Sequence, residues 1–565
     1  MRTTNALFSG ANRGMKKADQ ITKKLHYQEG LLKLLVVSFL CFFAFTIYVI
    51  SVHRFAVNSP YFDDFFWSFG FINDFLEADS FIEQLKLIYQ QFNQHRIIYS
   101  KLVMVSLLKL TGEINFRTYV WVGNISLFLL AGLLNYYCIS RKMDIFILVP
   151  VNFLLFNFSF FHNSILSYGL PNMAVIFFSF LAFYLADKNH FTPAILVGIA
   201  ATFSNGNGLL VLPILSFLYL LRGYLKKFLI VLGVSLITIF AYFQNYEFDT
   251  GELTLDLSTI SFGIDFLGGF YEAESHMIRW WLTVLLIAMN VSLWLRVVVK
   301  NVKYSDFLLG SFLFVCGTAS KVALVRAIHN FSIPSWYNQY SLLFFVITLL
   351  FLYENFSQTS PKFKIALLLL FALIGVKNLY KSYTRNIPRA SHVSSGLKAD
   401  LMNYQKNNKW SLMDSQIGWS NYHRFNEITH DFVDHGIFNL ASHQISEWDT
   451  VKVNSMFTVD SVSHDYIEIF IQEEILPSNS DTEYFASMIN TKTLESYFIG
   501  VLYNIDHRFF INPATQEVVP TMFISADKYF QEAVSAGFYR LALHEVSEVN
   551  QKVYLSDQNI YIDNW

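Results

Sequence analysis

Ser59-Pro60-Tyr61-Phe62-Asp63-Asp64-Phe65-Phe66-Trp67 sets two adjacent carboxylates among aromatic side chains, directly beyond the first long apolar run. Acids held at a membrane surface are costly and mark a candidate functional site. The plainer reading is a helix N-cap or a solvated loop pair, because Asp favours caps. The aromatic neighbours argue for the sharper one, since they would bury the pair against the bilayer surface. Burial and a neighbouring like charge both raise a carboxylate pKa, which makes a general base effective near neutral pH. Residue types alone do not choose between Asp63 and Asp64.

Other groups with suitable chemistry lie further on. His95-Arg96 closes the loop that begins with the acids; Arg96 either snorkels to headgroups or grips a phosphate in bidentate fashion. Lys321 and Arg326 are five apart and share a helical face poorly, but in a loop they could converge on a phosphate. Ser204-Asn205-Gly206-Asn207-Gly208 is foremost a turn; its functional reading is hydrogen bonding by Asn205 and Asn207 to a polar ligand inside a cavity. His162-Asn163 and Tyr168 fall at another external segment end and would line the same cavity. Cys41, Cys138 and Cys316 sit inside apolar runs with no partner at metal-ligand spacing, so neither a disulfide framework nor a zinc site is expected.

The elements that must position these groups belong to a membrane protein. Of 565 residues, 53% are hydrophobic and only 15% charged, too few charges for a soluble enzyme of this size. Many runs approach the ~20 residues that span a bilayer. The basic segment 1–30 reads as a cytoplasmic tail, and 31–51 as the first span. The loop 52–97 is then external, with an amphipathic helix at Phe81–Phe92 lying on the membrane. The short segment 97–112, carrying Lys101 and Lys109, is not expected to cross fully. Runs at 117–139, 144–161, 171–186, 228–244, 281–295, 305–319, 336–353 and 364–380 follow. Between them, segment 191–221 has two apolar halves too short for a full span, flanking the Asn-Gly turn. Basic loops at Arg141-Lys142, 222–227, 296–303 and 361–364 set a topology of about eleven spans, N-terminus in and C-terminus out. Loops 245–279, acidic, and 320–336, basic, are external.

After residue 385 the apolar runs stop. The expected organisation is a tail (1–30), a helical membrane domain (31–385) and a mixed, β-rich extracytoplasmic domain (386–565). Strands are expected at Thr450–Phe457, Tyr466–Gln472, Ser496–Tyr503, Val518–Ser525, Phe538–Val546 and Val553–Ile562, and a helix at Asp527–Val534.

A carboxylate pair in the first external loop resembles the GT-C superfamily of integral membrane glycosyltransferases. Gln94-His95-Arg96-Ile97-Ile98 is similar to the Asn-Glu-His-Arg-Ile pattern of GtrII/GtrC-like O-antigen glucosyltransferases. Ser204 to Leu210 resembles their Gly-Asn-Gly-Leu-Leu segment, and Ser335-Trp336-Tyr337-Asn338-Gln339-Tyr340-Ser341 their Ser-Arg-Tyr-x-x-Tyr-Ser stretch. Trp336 stands where that pattern has Arg, so Lys321 or Arg326 would take its role. The likeness covers about residues 30–385.

The resemblance implies transfer of one sugar, glucose in the relatives, from a polyprenyl-phosphate carrier to an O-antigen of lipopolysaccharide or another surface glycan. It places the protein in a bacterial inner membrane, working on the periplasmic side. Asp63 or Asp64 would be the base, His95, Arg96, Lys321 and Arg326 the donor-phosphate contacts, and Asn205, Asn207 and Tyr337 the sugar or acceptor contacts. Some GT-C enzymes use Mg or Mn, but Asp74, Glu77 and Asp79 form no recognisable ligand set. A small flippase and a lipid-sugar synthase are the implied pathway partners; no nucleic-acid partner is expected. The rivals are a flippase for a lipid-linked glycan, which predicts charged spans and internal repeats, and a membrane O-acyltransferase, for which His162 would be the catalytic histidine.

Overall fold

The computed structural model describes residues 30–248, 256–269, 276–299, 305–326, 333–356, 361–408, 410, 419–440, 457–462, 466–471, 483–490, 492, 496–502, 521–525, 537–546 and 551–562. Helix α1 (Gly30–Phe55) leads to a π-helix (Phe65–Gly70), α2 (Phe71–Glu77), α3 (Phe81–Tyr89), α4 (Ile98–Thr111), α5 (Phe116–Ser140), α6 (Leu148–Leu155) and α7 (Phe161–Ile165). Then come α8 (Gly169–Asp187), α9 (Phe191–Thr202), a 3₁₀ turn (Gly206–Leu210), α10 (Val211–Leu221), α11 (Leu225–Phe243) and α12 (Leu257–Gly268). Helices α13 (His276–Val299), α14 (Asp306–Arg326), α15 (Asn338–Phe356), α16 (Pro361–Asn407) and α17 (Trp419–Asp434) complete the helical part.

Eight of these are long and apolar enough to cross a bilayer: α1, α5, α8, α11, α13, α14, α15 and α16. Lipid offers no hydrogen bonds to a bare backbone, so such runs can span only as helices or closed barrels. The chain is therefore a helical, polytopic membrane protein.

The chain divides into two compact units. One comprises Met1–Ser51, Phe128–Ser159 and Leu253–Tyr383. Its helices are joined by buried and part-buried polar pairs. Asn135 and Asn152 exchange amide hydrogen bonds at 3.2 and 2.9 Å, and Asn290 donates to the Thr348 hydroxyl at 2.9 Å. In hydrocarbon such pairs contribute about 0.6 kcal/mol each. Trp294 stacks on Phe351 with centroids 3.9 Å apart.

The other unit comprises Val52–Leu127, Phe160–Glu252 and Thr384–Trp565. It holds the acidic loop, the α7–α8 turn, α9 to α11 and the C-terminal part. Strands β1 (Phe457–Val462), β2 (Tyr466–Ile471), β3 (Glu483–Asn490), β4 (Ser496–Leu502), β5 (Thr521–Ser525), β6 (Gly537–Val546) and β7 (Gln551–Ile562) form two antiparallel sheets. Their orders are β1-β2-β5 and β4-β3-β6-β7.

Several expectations change. The end of the apolar run is not the end of a helix: α16 continues from Pro361 to Asn407, with the division between the two units falling within it, at Tyr383 and Thr384. Lys321 and Arg326 lie on the last turns of α14, not in a loop; Ala-Ser-Lys-Val-Ala-Leu-Val-Arg continues the helix. The amphipathic helix stops at Tyr89, and its Phe81, Ile82 and Leu85 are exposed. The first strand begins at Phe457 instead of ending there, and β3 was not anticipated. The expected helix at Asp527–Val534 lies outside the described residues.

Candidate functional site

The acidic pair sits on a strained turn. Phe62 has φ +52°, a left-handed conformation rare for a bulky residue. Such strain costs roughly 1–3 kcal/mol and gathers at active sites and switch regions. The Asp63 carbonyl accepts from both Phe66 N and Trp67 N at 2.9 Å, opening the π-helix. Single π turns likewise recur at functional sites.

The turn gives the two acids different surroundings. Asp64 is 1% exposed. It accepts from Tyr61 N at 2.9 Å, from the Ser167 hydroxyl and from the Trp67 side chain. Burial dominates over these donors, and with the added charge of Asp63 it pushes the carboxyl up to about 7. Asp63 is only half-buried. A backbone hydrogen bond joins it to Tyr168, whose ring meets Tyr61 edge-on at 6.0 Å.

A chain of asparagines ties together the segments on either side of Ser167 and Tyr168. Asn172 donates to Asn163 at 3.0 Å, Asn205 to Asn172 at 3.0 Å, and Asn205 in turn accepts from Asn207 N at 3.3 Å. Asn124 of α5 reaches the Ser164 carbonyl at 2.9 Å. Gly169 lets the turn close: a Cβ there would lie 2.0 Å from the Asn163 carbonyl oxygen. Gly208 serves the Asn205 turn similarly, 1.9 Å from the Ala201 oxygen. Asn205 and Asn207, 5% and 8% exposed, thus begin a chain of bonds that ends at Asn163, in the helix just before Ser167 and Tyr168.

From behind, the loop rests on the polar end of the chain. Phe425 of α17 packs against Phe65 and Phe66 at 5.7 and 4.8 Å, and Phe432 and Phe438 against Phe69 at 5.5 and 5.1 Å. Trp410, fully buried, meets Phe65 and donates to Thr429 at 3.1 Å. Arg424 pairs with Asp74 at 3.1 Å.

His95 and Arg96 follow a tight turn closed by reciprocal bonds between Phe92 and His95 at 2.8 and 2.9 Å. Arg96 is 2% exposed, and its guanidinium donates to the carbonyls of Tyr89, Tyr242 and Gln244. These are the C-terminal ends of α3 and α11, where a cation offsets the helix dipoles. Lys101 adds to this, donating to Leu87 O and Gln90 O at 2.8 Å. Burial, then the charge of Arg96, lowers its pKa to about 7.

In the first unit, Arg326 lies over the Tyr337 ring at 6.0 Å, and Tyr337 packs on Phe266 at 5.1 Å. Asp265 holds Arg279 at 3.2 Å and His276 at 2.9 Å, and Asn338 donates to Ser159 O at 3.0 Å. The opposite ends of these helices are tied as well. Tyr137 donates to Glu354 at 2.6 Å, Arg141 pairs with Glu354 at 3.6 Å, and Lys364 pairs with Asp144 at 3.6 Å. Among the described residues no three His, Cys, Asp or Glu side chains gather to hold a metal.

Sequence reasoning missed Ser167, which lies 103 residues from Asp64 and carries no local signal. It noted Lys101 only as a charge that spoils a span.

Within the second unit the acidic loop, the α7–α8 turn, the Asn205 turn, the end of α11 and α17 are linked by these contacts. No family model, curated protein or solved structure matches the chain.

Proposed function

We propose that the protein is an inner-membrane glycosyltransferase of GT-C type. It takes one sugar from a polyprenyl-phosphate carrier and passes it to an O-antigen or another surface glycan. With the basic tail in the cytosol, the acidic loop faces the periplasm.

One observation carries the reading: two adjacent acids, one pinned and buried, the other reachable, on a strained turn. Asp63 is the base. It takes the acceptor hydroxyl proton while that oxygen attacks the anomeric carbon. The bond from that carbon to the phosphate oxygen breaks, and the phosphate leaves with the electron pair. A glycosyl phosphate is already an anionic leaving group, so no strong acid is needed. Asp64 positions the turn and does not touch the acceptor. Arg96, whose donors meet carbonyls, braces the loop; Lys321 and Arg326 are the proposed donor-phosphate contacts. His95, Asn205, Asn207 and Tyr337 are proposed to contact donor or acceptor.

The ties at the cytosolic ends of the first unit support an enzyme over a flippase, which must open that end during transport. Glycan analysis of cells carrying Asp63→Asn tests the proposal. The added sugar should vanish while the protein stays inserted. Persistence of the sugar would remove Asp63 as base, and loss of lipid-linked export in its place would favour the flippase.

A further inference from the structure

Two candidate spans carry cations where they meet. α1 ends in His53-Arg54-Phe55, just past its apolar run, and α5 holds Arg117 in its first turn. Arg117 Nη2 donates to the His53 carbonyl at 3.0 Å and lies 3.2 and 3.4 Å from the two ring nitrogens of His53. That carbonyl belongs to the last turn of α1, where the helix itself supplies no donor and a cation offsets the negative end of the dipole. The Nε and Nη1 hydrogens of Arg117 have no acceptor among the described residues. Arg54 is exposed, its guanidinium 5.6 Å from the ring centroid of its neighbour Phe55. Neither arginine meets a carboxylate among the described residues. Glu113, the acid nearest Arg117 in sequence, accepts instead from Asn115 at 3.3 Å.

Two helix lengths put this contact at headgroup height. From Leu31 to His53 is about 33 Å of helix at ~1.5 Å per residue, and from Arg117 to Arg141, just beyond the far end of α5, about 36 Å. Both slightly exceed the ~30 Å hydrocarbon core. His53, Arg54 and Arg117 therefore sit in the polar layer on the face opposite the basic tail, where arginines beside a span are disfavoured. Cations placed there without a carboxylate call for an anion from the layer itself.

We propose that Arg117 and Arg54, with His53 bracing Arg117, form a binding site for the phosphate of an anionic phospholipid in that leaflet. Arg117 turns its unspent Nε and Nη1 donors to the phosphate ester, a group whose geometry suits a guanidinium. Arg54 adds a second charge at the same height. Asn58 Oδ1 accepts from Phe116 N at 2.8 Å, tying the chain just before the acidic loop to the start of α5. A lipid held here braces the joint from which that loop departs. The site needs only that the chain crosses the bilayer, and is independent of the reaction assigned to Asp63.

The test uses the full-length protein in dodecyl maltoside, a detergent without phosphate, titrated with phosphatidylglycerol, with the tightest-bound lipid followed by native mass spectrometry. Diacylglycerol of the same chains lacks the phosphate and should bind about tenfold more weakly. Arg54→Gln/Arg117→Gln should bind phosphatidylglycerol about tenfold more weakly than wild type and no longer separate it from diacylglycerol. Arg54→Lys/Arg117→Lys should recover part of the loss. Arg117 also caps α1, so Arg54→Gln, which leaves that cap in place, is run alongside and should weaken binding about threefold by itself. Phosphatidylglycerol binding within about twofold of wild type by the double Gln variant, or by Arg54→Gln should the double variant not fold, overturns the proposal. Full displacement of the lipid by millimolar inorganic phosphate would overturn it too, by assigning the cations to a free anion.

Discussion

Replacing Asp64 by Asn should flatten the dependence of stability on pH. In the fold the Asp64 carboxyl titrates near 7, against an ordinary value of 3.8. Between those values the unfolded chain has released the proton and the folded chain keeps it. Stability therefore falls as pH rises from about 4 to about 7, and the loss is complete above that. A shift of about three pH units corresponds to about 4 kcal/mol. Asn cannot ionise, so the variant escapes this loss. It gives up part of what the three donors contributed, about 1–2 kcal/mol, but at every pH alike. The assay is thermal unfolding of wild type and Asp64→Asn in detergent at pH 5, 6, 7 and 8. At roughly 2–4 °C per kcal/mol for domains of 150–250 residues, the gap between the curves should change by on the order of 10 °C across the range. Parallel curves would refute the claim that Asp64 is buried as an acid.

Other perturbations probe the supports. Phe425→Ala removes a fully buried ring beneath the acidic loop and should cost about 3–5 kcal/mol, read by chemical denaturation, with faster proteolysis within 52–97. Gly169→Ala forces a Cβ onto the Asn163 carbonyl and should cut the yield of folded protein sharply, while Gly132→Ala, where the added Cβ meets open space, should not. Arg96→Ala strips the carbonyls at two helix ends and should destabilise by several kcal/mol, with Arg96→Lys recovering only part because one ammonium cannot span all three. Phe62→Gly should be more stable than Phe62→Ala by roughly 1 kcal/mol, since only glycine relieves the left-handed turn; equal stabilities would mean the turn carries no strain.

Hydropathy made the membrane-crossing helices legible, because a bilayer demands long apolar runs and little else. The acidic pair was legible too, since carboxylates among aromatics stand out. Its internal division was not: Asp63 and Asp64 differ through Ser167 and Tyr168, whose approach depends on how α8 folds back. Arg96 looked like a phosphate ligand because its type suits one, yet its carbonyl partners are backbone atoms that no side-chain pattern reveals. The continuation of α16 past residue 385 was hidden for a related reason. Polarity announces the end of lipid, not the end of a helix.

The support beneath the acidic loop has a consequence for biogenesis. Arg424 and Asp74 meet across 350 residues of sequence, and α17 is made only after the last span. Until then Phe65 and Phe66 lack Phe425, and Phe69, though it packs on Phe116, lacks Phe432 and Phe438, so the nascent loop waits as a sticky, incomplete surface. A ribosome stalled before residue 410 would leave an inserted chain whose acidic loop lacks its support, and the loop would need shelter for most of its synthesis.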